Sequence, residues 1–485
     1  MPLSIALLSS EATPVAKTGG LADVVAALAK YLHADGHDVR VFLPAYASID
    51  RAVVAARPLP ALRDLPLEFA GHRYRYDVLQ GTLPGSGAPL LLIDCPVLFA
   101  RKSLYTEDVD EHLRFIAFTR AALETCQRLQ WAPDIMHCND WHTSFAPLYL
   151  KSVYAWDRLF AATRSVLTIH NIGYQGRFAA DRAADVGLGD AGHLLHQDEL
   201  RAGVVNSLRH GVMYADAVTT VSPTYAREIL TPEYGLGLED SLRARGDDLV
   251  GILNGVDYDD WDPRHDRWLP KHFDPDRLHV KTELKHELLT RFRLRFTSRS
   301  PLAGIVSRFT SQKGLDLLFD VLPPLLARRN FCIAVLGSGE TRYEQFFGAL
   351  QRRFPARVAF YRGYNEELAH WIEAAADMFI MPSLYEPCGL NQMYSLRYGT
   401  IPIVRRTGGL ADSVQLVDPE QGTGTGIVFD DFNTTAMAWA LNAALDLYAK
   451  PRTWRRFVLN AMAEDFSWDR QGAEYLRLYR RLLAP

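Results

Sequence analysis

The chain has 485 residues, of which 48% are hydrophobic and 23% are charged. This length exceeds what one hydrophobic core usually serves and predicts two domains, with three possible, and the composition is that of a globular protein. The formal net charge of −4 argues against nucleic acid or an anionic membrane surface as the main partner.

The cysteines and the first residues indicate the compartment. The 5 cysteines are widely spaced and include no C-x-x-C pair, which indicates reduced thiols and neither a disulfide framework nor a zinc site. The start, MPLSIALLSSEATP, has no basic segment and reaches an acidic residue at Glu11, so we expect no signal peptide. No uncharged apolar run approaches the length of a membrane span. We therefore expect a cytoplasmic protein.

Short apolar runs alternate with amphipathic stretches in the first half of the chain. Apolar residues recur at helical spacing in GLADVVAALAKYLHADG (20–36) and in HLRFIAFTRAALETCQRL (112–129). The apolar runs predict strands at 4–10, 39–45, 89–95, 134–138, 165–171, 217–222 and 250–254. Strands that are apolar throughout and alternate with helices predict a parallel sheet covered on both faces.

The second half repeats this alternation and predicts a second doubly wound α/β unit. Its predicted strands are 303–309, 331–337, 358–363, 378–383 and 401–406. The Pro-, Asp- and Trp-rich segment at 257–277 resembles a structured connection, and the chain ends in an amphipathic helix. We expect domains at 1–255 and 256–465, followed by a terminal helix at 466–485.

The hexapeptide TGGLAD occurs twice, at 18–23 and at 407–412, each time after a basic residue, Lys17 or Arg406. In open α/β sheets, ligands lie at the carboxyl ends of the strands, where amides at helix N-termini face them. Two glycines let the backbone approach a ligand closely. The alternative is two helix N-caps that share their residues by chance. The repeat favours one ligand-binding turn in each domain.

The segment SRFTSQKG (307–314) follows a predicted strand and carries two cations, Arg308 and Lys313. Two cations on a strand-to-helix loop suit a diphosphate, the leaving group of a nucleotide sugar. Lys17 is similarly placed for a phosphate or a sugar hydroxyl. Solvated surface side chains are the alternative for all three.

The segment PSLYEPCGLNQ (382–392) places Glu386 on a turn before a helix that begins near Gly389. A fixed carboxylate there can accept hydrogen bonds from vicinal sugar hydroxyls, and a helix-capping role is the alternative. For Cys388, spacing alone favours a buried structural thiol.

Two further segments, HCNDWHTS (137–144) and TIHNIGYQG (168–176), end predicted strands. They bring together four groups that bind metals in other proteins: His137, Asp140, His142 and His170. Their spacing matches no standard metal motif, and a polar substrate pocket suits them better. Asn254 ends the last predicted strand of the first domain and is expected to face the same cleft.

Together these motifs resemble the bacterial glycogen synthases and the related plant starch synthases. The motifs that carry the resemblance are AKTGGLADVV (16–25), HCNDWH (137–142), TIHNIGYQG (168–176), AVTTVSPTYAREI (217–229), GILNGVDYDDWDP (251–263), VSRFTSQKGLDL (306–317), YEPCGLNQMYSLRYGTIPIVRRTGGLADSV (385–414) and the terminal DFSW (465–468). They run from end to end in family order. The sequence departs from the common pattern in two places: Leu384 stands where Arg is frequent, and the usual His-x-His-Asp-Trp appears as His137-Cys138-Asn139-Asp140-Trp141.

The resemblance implies a GT-B fold, in which two Rossmann-like doubly wound domains face a deep cleft and the C-terminal helix crosses back to the first domain. It implies a hexosyltransferase that moves glucose from ADP-glucose to the non-reducing end of an α-1,4-glucan, with retention of configuration. The expected partners are ADP-glucose and a glycogen or malto-oligosaccharide acceptor. No metal and no cofactor are expected.

The resemblance also implies site residues. The catalytic set is Asp140, His170, Arg308, Lys313 and Glu386. The set that contacts ADP-glucose is Lys17, Gly19, Gly20, Asn254, Arg308, Lys313, Glu386, Cys388, Gly389, Thr407, Gly408 and Gly409.

Three other functions compete with this one. A related GT-B enzyme would use UDP-glucose or a small acceptor, and no residue here identifies the base. A glucan- or nucleotide-binding protein without activity would lack some of the charged residues above, all of which are present. A two-domain dehydrogenase would carry G-x-G-x-x-G after the first strand, which this chain does not.

Overall fold

The computed structural model describes residues 1–295 and 300–484. The chain forms two compact units. Unit 1 comprises Met1–Gly255 and the segment from Trp468 onward, and unit 2 comprises Val256–Ser467. The sequence predicted breaks after 255 and after 465, and residue 485 of the predicted terminal helix lies outside the described residues.

Unit 1 is built on a ten-stranded sheet beside a two-stranded ribbon. Its strands are β1 (Ser4–Leu8), β2 (Asp38–Pro44), β3 (Arg57–Pro58), β4 (Leu65–Phe69), β5 (His72–Thr82), β6 (Pro89–Asp94), β7 (Ile135–Asn139), β8 (Arg164–Ile169), β9 (Arg177–Ala179), β10 (Val204–Asn206), β11 (Ala217–Thr220) and β12 (Leu249–Gly251). The order across the sheet is β12-β11-β8-β7-β1-β2-β6-β5-β3, with β4 paired to β5, and β9 and β10 form the ribbon.

The seven strands from β12 to β6 are parallel, and each overlaps one of the seven predicted strands. The strands that the sequence did not predict in this sheet, β3, β4 and β5, extend it by antiparallel pairing. The first residues of β5 alternate between half-buried and exposed side chains, as in an antiparallel strand with one solvated face. Its polar residues hide it from a search for continuous apolar runs.

Helices cover the sheet of unit 1. They are α1 (Gly20–Ala34), α2 (Pro96–Phe99), α3 (Glu111–Arg128), α4 (Ala146–Lys151), α5 (Gln197–Arg201), α6 (Ser207–Tyr214), α7 (Pro223–Glu228), α8 (Pro232–Gly235) and α9 (Glu239–Arg243). The chain leaves β1 toward β2 on one side and later returns to place β7 on the other side of β1. The carboxyl ends of β1 and β7 therefore flank the switch point of this sheet, where doubly wound folds bind ligands.

Unit 2 contains a six-stranded parallel sheet. Its strands are β13 (Leu302–Phe309), β14 (Cys332–Gly339), β15 (Val358–Arg362), β16 (Met378–Met381), β17 (Ile401–Arg405) and β18 (Ile427–Phe429). The order β15-β14-β13-β16-β17-β18 is the Rossmann order, with the switch point between β13 and β16. The five predicted strands are β13 to β17, and the three-residue β18 is too short to stand out in the sequence.

Helices pack on both faces of this second sheet. They are α10 (Leu278–Arg291), α11 (Leu317–Arg328), α12 (Thr341–Arg353), α13 (Glu366–Ala375), α14 (Asn391–Arg397), α15 (Gly408–Ser413), α16 (Thr434–Tyr448) and α17 (Pro451–Met462). The predicted class, two α/β units with parallel sheets, is confirmed.

The last helix, α18 (Trp468–Leu483), belongs to unit 1, as expected of a terminal helix that returns to the first domain. Its buried Tyr479 places a hydroxyl 2.7 Å from Nδ1 of His137 on β7. Nε2 of His137 lies 2.5 Å from the Thr168 hydroxyl on β8. A chain of buried hydrogen bonds therefore ties the helix to the centre of the sheet. No helix in the described part of the chain is long and apolar enough to cross a membrane.

Candidate functional site

The carboxyl edge of the sheet in unit 2 gathers most of the predicted residues. Arg308 lies near the end of β13 and Lys313 follows this strand, Glu386 to Gly389 follow β16, and Thr407 to Gly409 follow β17. Because these three strands are neighbours and parallel, their loops emerge side by side at the switch point. The predicted residues of the second half therefore form one local group.

A short ion pair lies at the centre of this group. Nζ of Lys313 donates to Oε2 of Glu386 at 2.6 Å, and the Ser383 hydroxyl donates to the same oxygen at 2.9 Å. The Glu386 side chain is only 6% exposed and that of Lys313 is 20% exposed. Oε1 of Glu386 receives no hydrogen bond from any described residue. The carboxylate is thus held by one oxygen while the other can accept from a ligand.

Arg308 supplies a second cation at this edge. It lies near the end of β13, where its side chain is exposed. Within residues 1–295 and 300–484, Arg308 forms no ion pair. An exposed guanidinium presents up to five N–H donors, in a geometry that matches phosphate oxygens.

The second copy of TGGLAD is packed against the Glu386 loop. The amide of Gly409 donates to the carbonyl oxygen of Glu386 at 3.1 Å. A Cβ on Gly408 would lie 1.9 Å from that oxygen, and a Cβ on Gly409 would lie 2.1 Å from the carbonyl oxygen of Cys388. Gly408 also has a φ of 43°, in the left-handed region. Both glycines are therefore required by the fold itself, because they let this turn support the loop that carries Glu386.

The first copy of TGGLAD, in unit 1, is held by a different device. Glu11 accepts hydrogen bonds from the amides of Thr18 and Gly19, at 2.5 and 3.2 Å, and from the Thr18 hydroxyl at 2.7 Å. The Tyr105 hydroxyl also donates to Glu11, at 2.6 Å. An internal carboxylate therefore occupies the first amides of this turn and fixes its conformation.

Lys17 and the glycines lie at the open side of that turn. Nζ of Lys17 donates to Asp23 at 2.8 Å, and its side chain is 35% exposed. A Cβ on Gly19 would meet no atom within 4 Å, and Gly19 is extended with a φ of −160°. Gly20 begins α1. The fold itself therefore does not require glycine at position 19, unlike positions 408 and 409. The space beside its Cα is open to a ligand.

Asp140 follows β7 at the switch point of unit 1 and holds an unusual backbone conformation. Its φ is 54° and its ψ is −172°, a region that residues with a Cβ rarely adopt and that costs of order 1–3 kcal/mol. Its Oδ1 accepts from the amide of His170 at 2.7 Å. Burial raises the pKa of Asp140 to about 7, against the effect of the amides of His170 and Asn171. Such strain concentrates at functional positions.

His170, at the end of β8, is held as a neutral imidazole. The side-chain nitrogen of Asn139 donates to the carbonyl of Leu8 at 3.0 Å, so its oxygen faces Nε2 of His170 at 2.9 Å. Nε2 therefore carries the proton, and burial lowers the pKa of His170 to about 3. The ring presents a lone pair at Nδ1 and no positive charge.

Three other predicted residues of unit 1 are Asn254, His137 and His142. Asn254 follows β12, the strand at one end of the sheet, and its buried Oδ1 has no hydrogen-bond partner among the described residues. His137 contacts α18 from the middle of β7. His142 stacks on Tyr105 with ring centroids 4.8 Å apart. Both of these histidines are therefore part of the packed interior.

Sequence reasoning missed three residues that position the others: Glu11, Tyr105 and Ser383. Glu11 and Thr18 are seven residues apart, and no periodic pattern links a carboxylate to a turn at that distance. Ser383 precedes Glu386 by three residues, the separation at which a hydroxyl commonly contacts a nearby polar group, and this signal was available.

Comparison with protein families and with curated proteins covers nearly the whole chain. Residues 4–244 match the family described as "Starch synthase catalytic domain", and residues 288–458 match "Glycosyl transferases group 1". Proteins named glycogen synthase from Thioalkalivibrio sulfidiphilus, Koribacter versatilis and Thermotoga maritima are 44%, 42% and 40% identical to it. Each alignment covers 99% of this chain and 100%, 98% and 99% of those proteins respectively.

Solved structures show the same likeness. The catalytic domain of Starch Synthase IV from Arabidopsis thaliana, bound to ADP and acarbose, superposes with a TM-score of 0.92 at 36% identity, and the match covers 100% of both chains. Sucrose-phosphate synthase from Thermosynechococcus elongatus superposes with a TM-score of 0.61 at 18% identity, over 99% of this chain and 98% of the other, and this likeness concerns the fold alone.

Proposed function

The chain belongs to the glycogen synthase family, and from that premise we propose that it transfers glucose from ADP-glucose to the non-reducing end of an α-1,4-glucan. The starch synthase neighbour was solved with ADP and acarbose, a nucleotide product and an oligosaccharide-like ligand. The acceptor proposed here is glycogen or a malto-oligosaccharide. We place the reaction in the cytoplasm and assign it no metal or other cofactor.

One observation carries the proposal: the partly exposed Lys313 pairs with the buried Glu386 at the switch point of unit 2, and the exposed Arg308 lies near the end of β13 at the same edge of the sheet. The two cations suit the diphosphate of the donor. The remaining oxygen of Glu386 suits the hydroxyls of the glucose. One edge of one sheet thus offers complementary groups to both halves of a nucleotide sugar.

The chemistry of the donor explains why cations matter most. Cleavage of the bond between C1 of glucose and the phosphate oxygen builds positive charge on the sugar and negative charge on ADP. Cations fixed beforehand at the departing diphosphate stabilise that transition state without reorganisation. Loss of one such group lowers turnover on the order of 10²-fold or more.

Retention of configuration needs a second feature. A retaining hydrolase uses two facing carboxylates, one of them as nucleophile. The sequence around Glu386 offers no obvious second carboxylate. The residue eight positions later is Tyr394, whose buried ring stacks on Trp261 with the centroids 3.9 Å apart. We infer a front-face displacement in which the leaving phosphate helps to remove the proton of the acceptor hydroxyl. A glucosyl adduct trapped on any side chain would contradict this mechanism.

Unit 1 supplies polar groups for sugar. His170 is neutral, so its Nδ1 can accept a hydrogen bond but brings no positive charge to a sugar that becomes positive. The Oδ1 of Asn254 is buried, and buried amide oxygens are normally hydrogen-bonded, so a sugar hydroxyl suits it. Lys17 remains the candidate for contact with the donor in this unit.

The alternative within the same fold is a donor with another base, UDP-glucose. The test is the initial rate of glucose transfer to a glycogen primer from ADP-glucose and, in parallel, from UDP-glucose. Lys17→Ala and Glu386→Ala serve as active-site variants, with Lys151→Ala and Glu107→Ala as matched surface controls. Transfer from ADP-glucose that is lost in both variants and kept in both controls supports the proposal. Preference for UDP-glucose would overturn the donor assignment, and no transfer from either donor would overturn the activity.

A further inference from the structure

Unit 2 contains a cluster of possible metal ligands that the transfer reaction does not use. Asp260 lies in the segment that precedes α10, and Glu366 and His370 lie one turn apart on α13. One ligand atom from each residue can be chosen so that all three lie within 4.8 Å of one another. Residues four apart on a helix share a face, so the last two project toward the same point.

Hydrogen bonding fixes which nitrogen of His370 faces the cluster. Nδ1 lies 2.8 Å from Oδ2 of Asp266, and the Tyr398 hydroxyl donates to the same oxygen at 2.6 Å. The Asp266 carboxylate is fully buried and accepts from both groups, so Nδ1 carries a proton. A carboxylate that accepts from one nitrogen of a histidine is the usual support for a metal bound at the other.

Nε2 of His370 is the second, independent indication of a ligand. The His370 side chain is 0% exposed, and Nε2 has no hydrogen-bond partner among the described residues. The Oε1 atom of Glu366 lies 3.8 Å from it, too far for a hydrogen bond and within range of an ion pair. Buried polar nitrogens are normally satisfied, so this one lacks a direct contact that an occupant would supply.

The ring of His370 cannot easily turn away. Trp261 stacks on it with ring centroids 3.6 Å apart and planes inclined by 13°. The other face of the indole stacks on Tyr394. Aromatic packing and the Asp266 hydrogen bond thus hold the imidazole in one orientation.

We propose that Asp260, Glu366 and His370 bind a divalent transition-metal cation of the zinc type. One histidine nitrogen and two carboxylate oxygens are ligands that zinc accepts, with water completing a tetrahedron. Bond lengths of 2.0–2.2 Å place tetrahedral ligand atoms about 3.4 Å apart. The distance of 3.8 Å between Glu366 and His370 is already close to this value.

The remaining adjustment falls on side chains that can move. The Asp260 side chain is 38% exposed and that of Glu366 is 28% exposed. Asp260 pairs with Arg267 at 3.5 Å, and the side chain of this arginine is 72% exposed. The cation would join the segment after Val256 to α13 and stabilise unit 2. The proposal does not depend on the transfer reaction, and either can fail alone.

The test is direct titration of the chelator-treated full-length protein with Zn²⁺ by calorimetry, followed by the absorption spectrum with Co²⁺. Asp260→Asn and Glu366→Gln remove one ligand each from partly exposed positions, so both variants should fold. Asp259→Asn and Glu367→Gln change the neighbouring exposed carboxylates and serve as matched controls. Circular dichroism checks the fold of all four.

The proposal predicts one equivalent of bound Zn²⁺, a tetrahedral Co²⁺ spectrum and a rise in melting temperature on adding Zn²⁺. Each ligand variant should have a dissociation constant for Zn²⁺ at least tenfold higher and should show no rise in melting temperature on adding Zn²⁺. The controls should keep the parent affinity and the rise in melting temperature. The absence of stoichiometric binding would overturn it and leave Glu366 and His370 as an ion pair. Equal binding by ligand variants and controls would overturn it as well, because the metal would then sit elsewhere.

Discussion

The ammonium of Lys313 lies 2.6 Å from Oε2 of Glu386, and the two residues are 73 positions apart in the chain. Each group was expected to contact a different part of the donor, the diphosphate and the glucose. Their contact means that each also holds the other in place. The pair is nearly buried, so its two charges are coupled more strongly than on a surface.

Removing one member of this pair should destabilise the protein more than removing both. Lys313→Met leaves a buried carboxylate without its cation, which costs about 3 kcal/mol. Glu386→Gln in the same chain should restore most of that stability, because no unpaired charge remains. Urea unfolding of the single and double variants measures the coupling. Additive losses of stability would contradict a coupled pair.

The same variants separate stability from catalysis. Turnover of Lys313→Met should fall on the order of 10²-fold, and the double variant should stay at least as slow, because the leaving group has lost its cation in both. Recovery of turnover together with stability would show that Lys313 acts only on the fold.

Glu11 should act on the donor through the turn that it holds. Both carboxylate oxygens of Glu11 accept hydrogen bonds, from Thr18, Gly19 and Tyr105. Glu11→Gln leaves only one oxygen to accept them. The turn should loosen, and the KM for ADP-glucose should rise about tenfold or more while kcat changes less. Steady-state kinetics beside Glu107→Gln, an exposed loop glutamate, measures the effect. An unchanged KM would show that the conformation of this turn does not matter to donor binding.

The two TGGLAD turns should respond oppositely to alanine. Gly408→Ala places a Cβ 1.9 Å from the carbonyl of Glu386 in a left-handed conformation, and should cost at least about 2 kcal/mol of stability. Gly19→Ala enters open space with an extended backbone, so stability should hold or rise by about 0.5 kcal/mol. Its KM for ADP-glucose should nevertheless rise if the donor approaches this backbone. Normal kinetics of a stable Gly19→Ala protein would remove the first turn from the donor site.

Asp140→Asn should stabilise the protein at alkaline pH while lowering its activity. Burial raises the pKa of Asp140 to about 7 from a value near 3.8. Between these values the folded state holds a proton that the unfolded state has released, so stability falls as pH rises through that window. The loss stops above pH 7, where both states are ionised.

The amide in Asp140→Asn does not titrate, so its advantage over the parent should grow by about 2 to 3 kcal/mol between pH 5 and pH 8. Thermal unfolding of both proteins at a series of pH values measures this difference. A stability difference independent of pH would mean that Asp140 keeps an ordinary pKa. The opposite slope would mean that its pKa is lowered on folding.

The sequence was most informative where burial is continuous. The seven parallel strands of unit 1 are apolar over most of their length, and all were predicted. β5 was not predicted, because exposed arginines alternate with half-buried residues at its start. Once these strands were predicted, the position of the loops at their carboxyl ends could be predicted too, because parallel strands bring these loops to one edge of the sheet.

Contacts between distant residues could not be predicted in the same way. Nothing in the sequence pairs His137 with Tyr479, which are 342 positions apart. The left-handed backbone of Asp140 is set by the packing around it and not by the preference of aspartate. The different reasons for glycine in the two identical hexapeptides also emerge only when their neighbours are known.

The most direct test of the proposed reaction follows its products. The protein is incubated with ADP-glucose and a malto-oligosaccharide, and proton NMR records the anomeric signals while released ADP is quantified. We expect one new α-1,4 linkage for each ADP released. A β-linkage, or ADP released with free glucose and no chain extension, would contradict the proposed reaction.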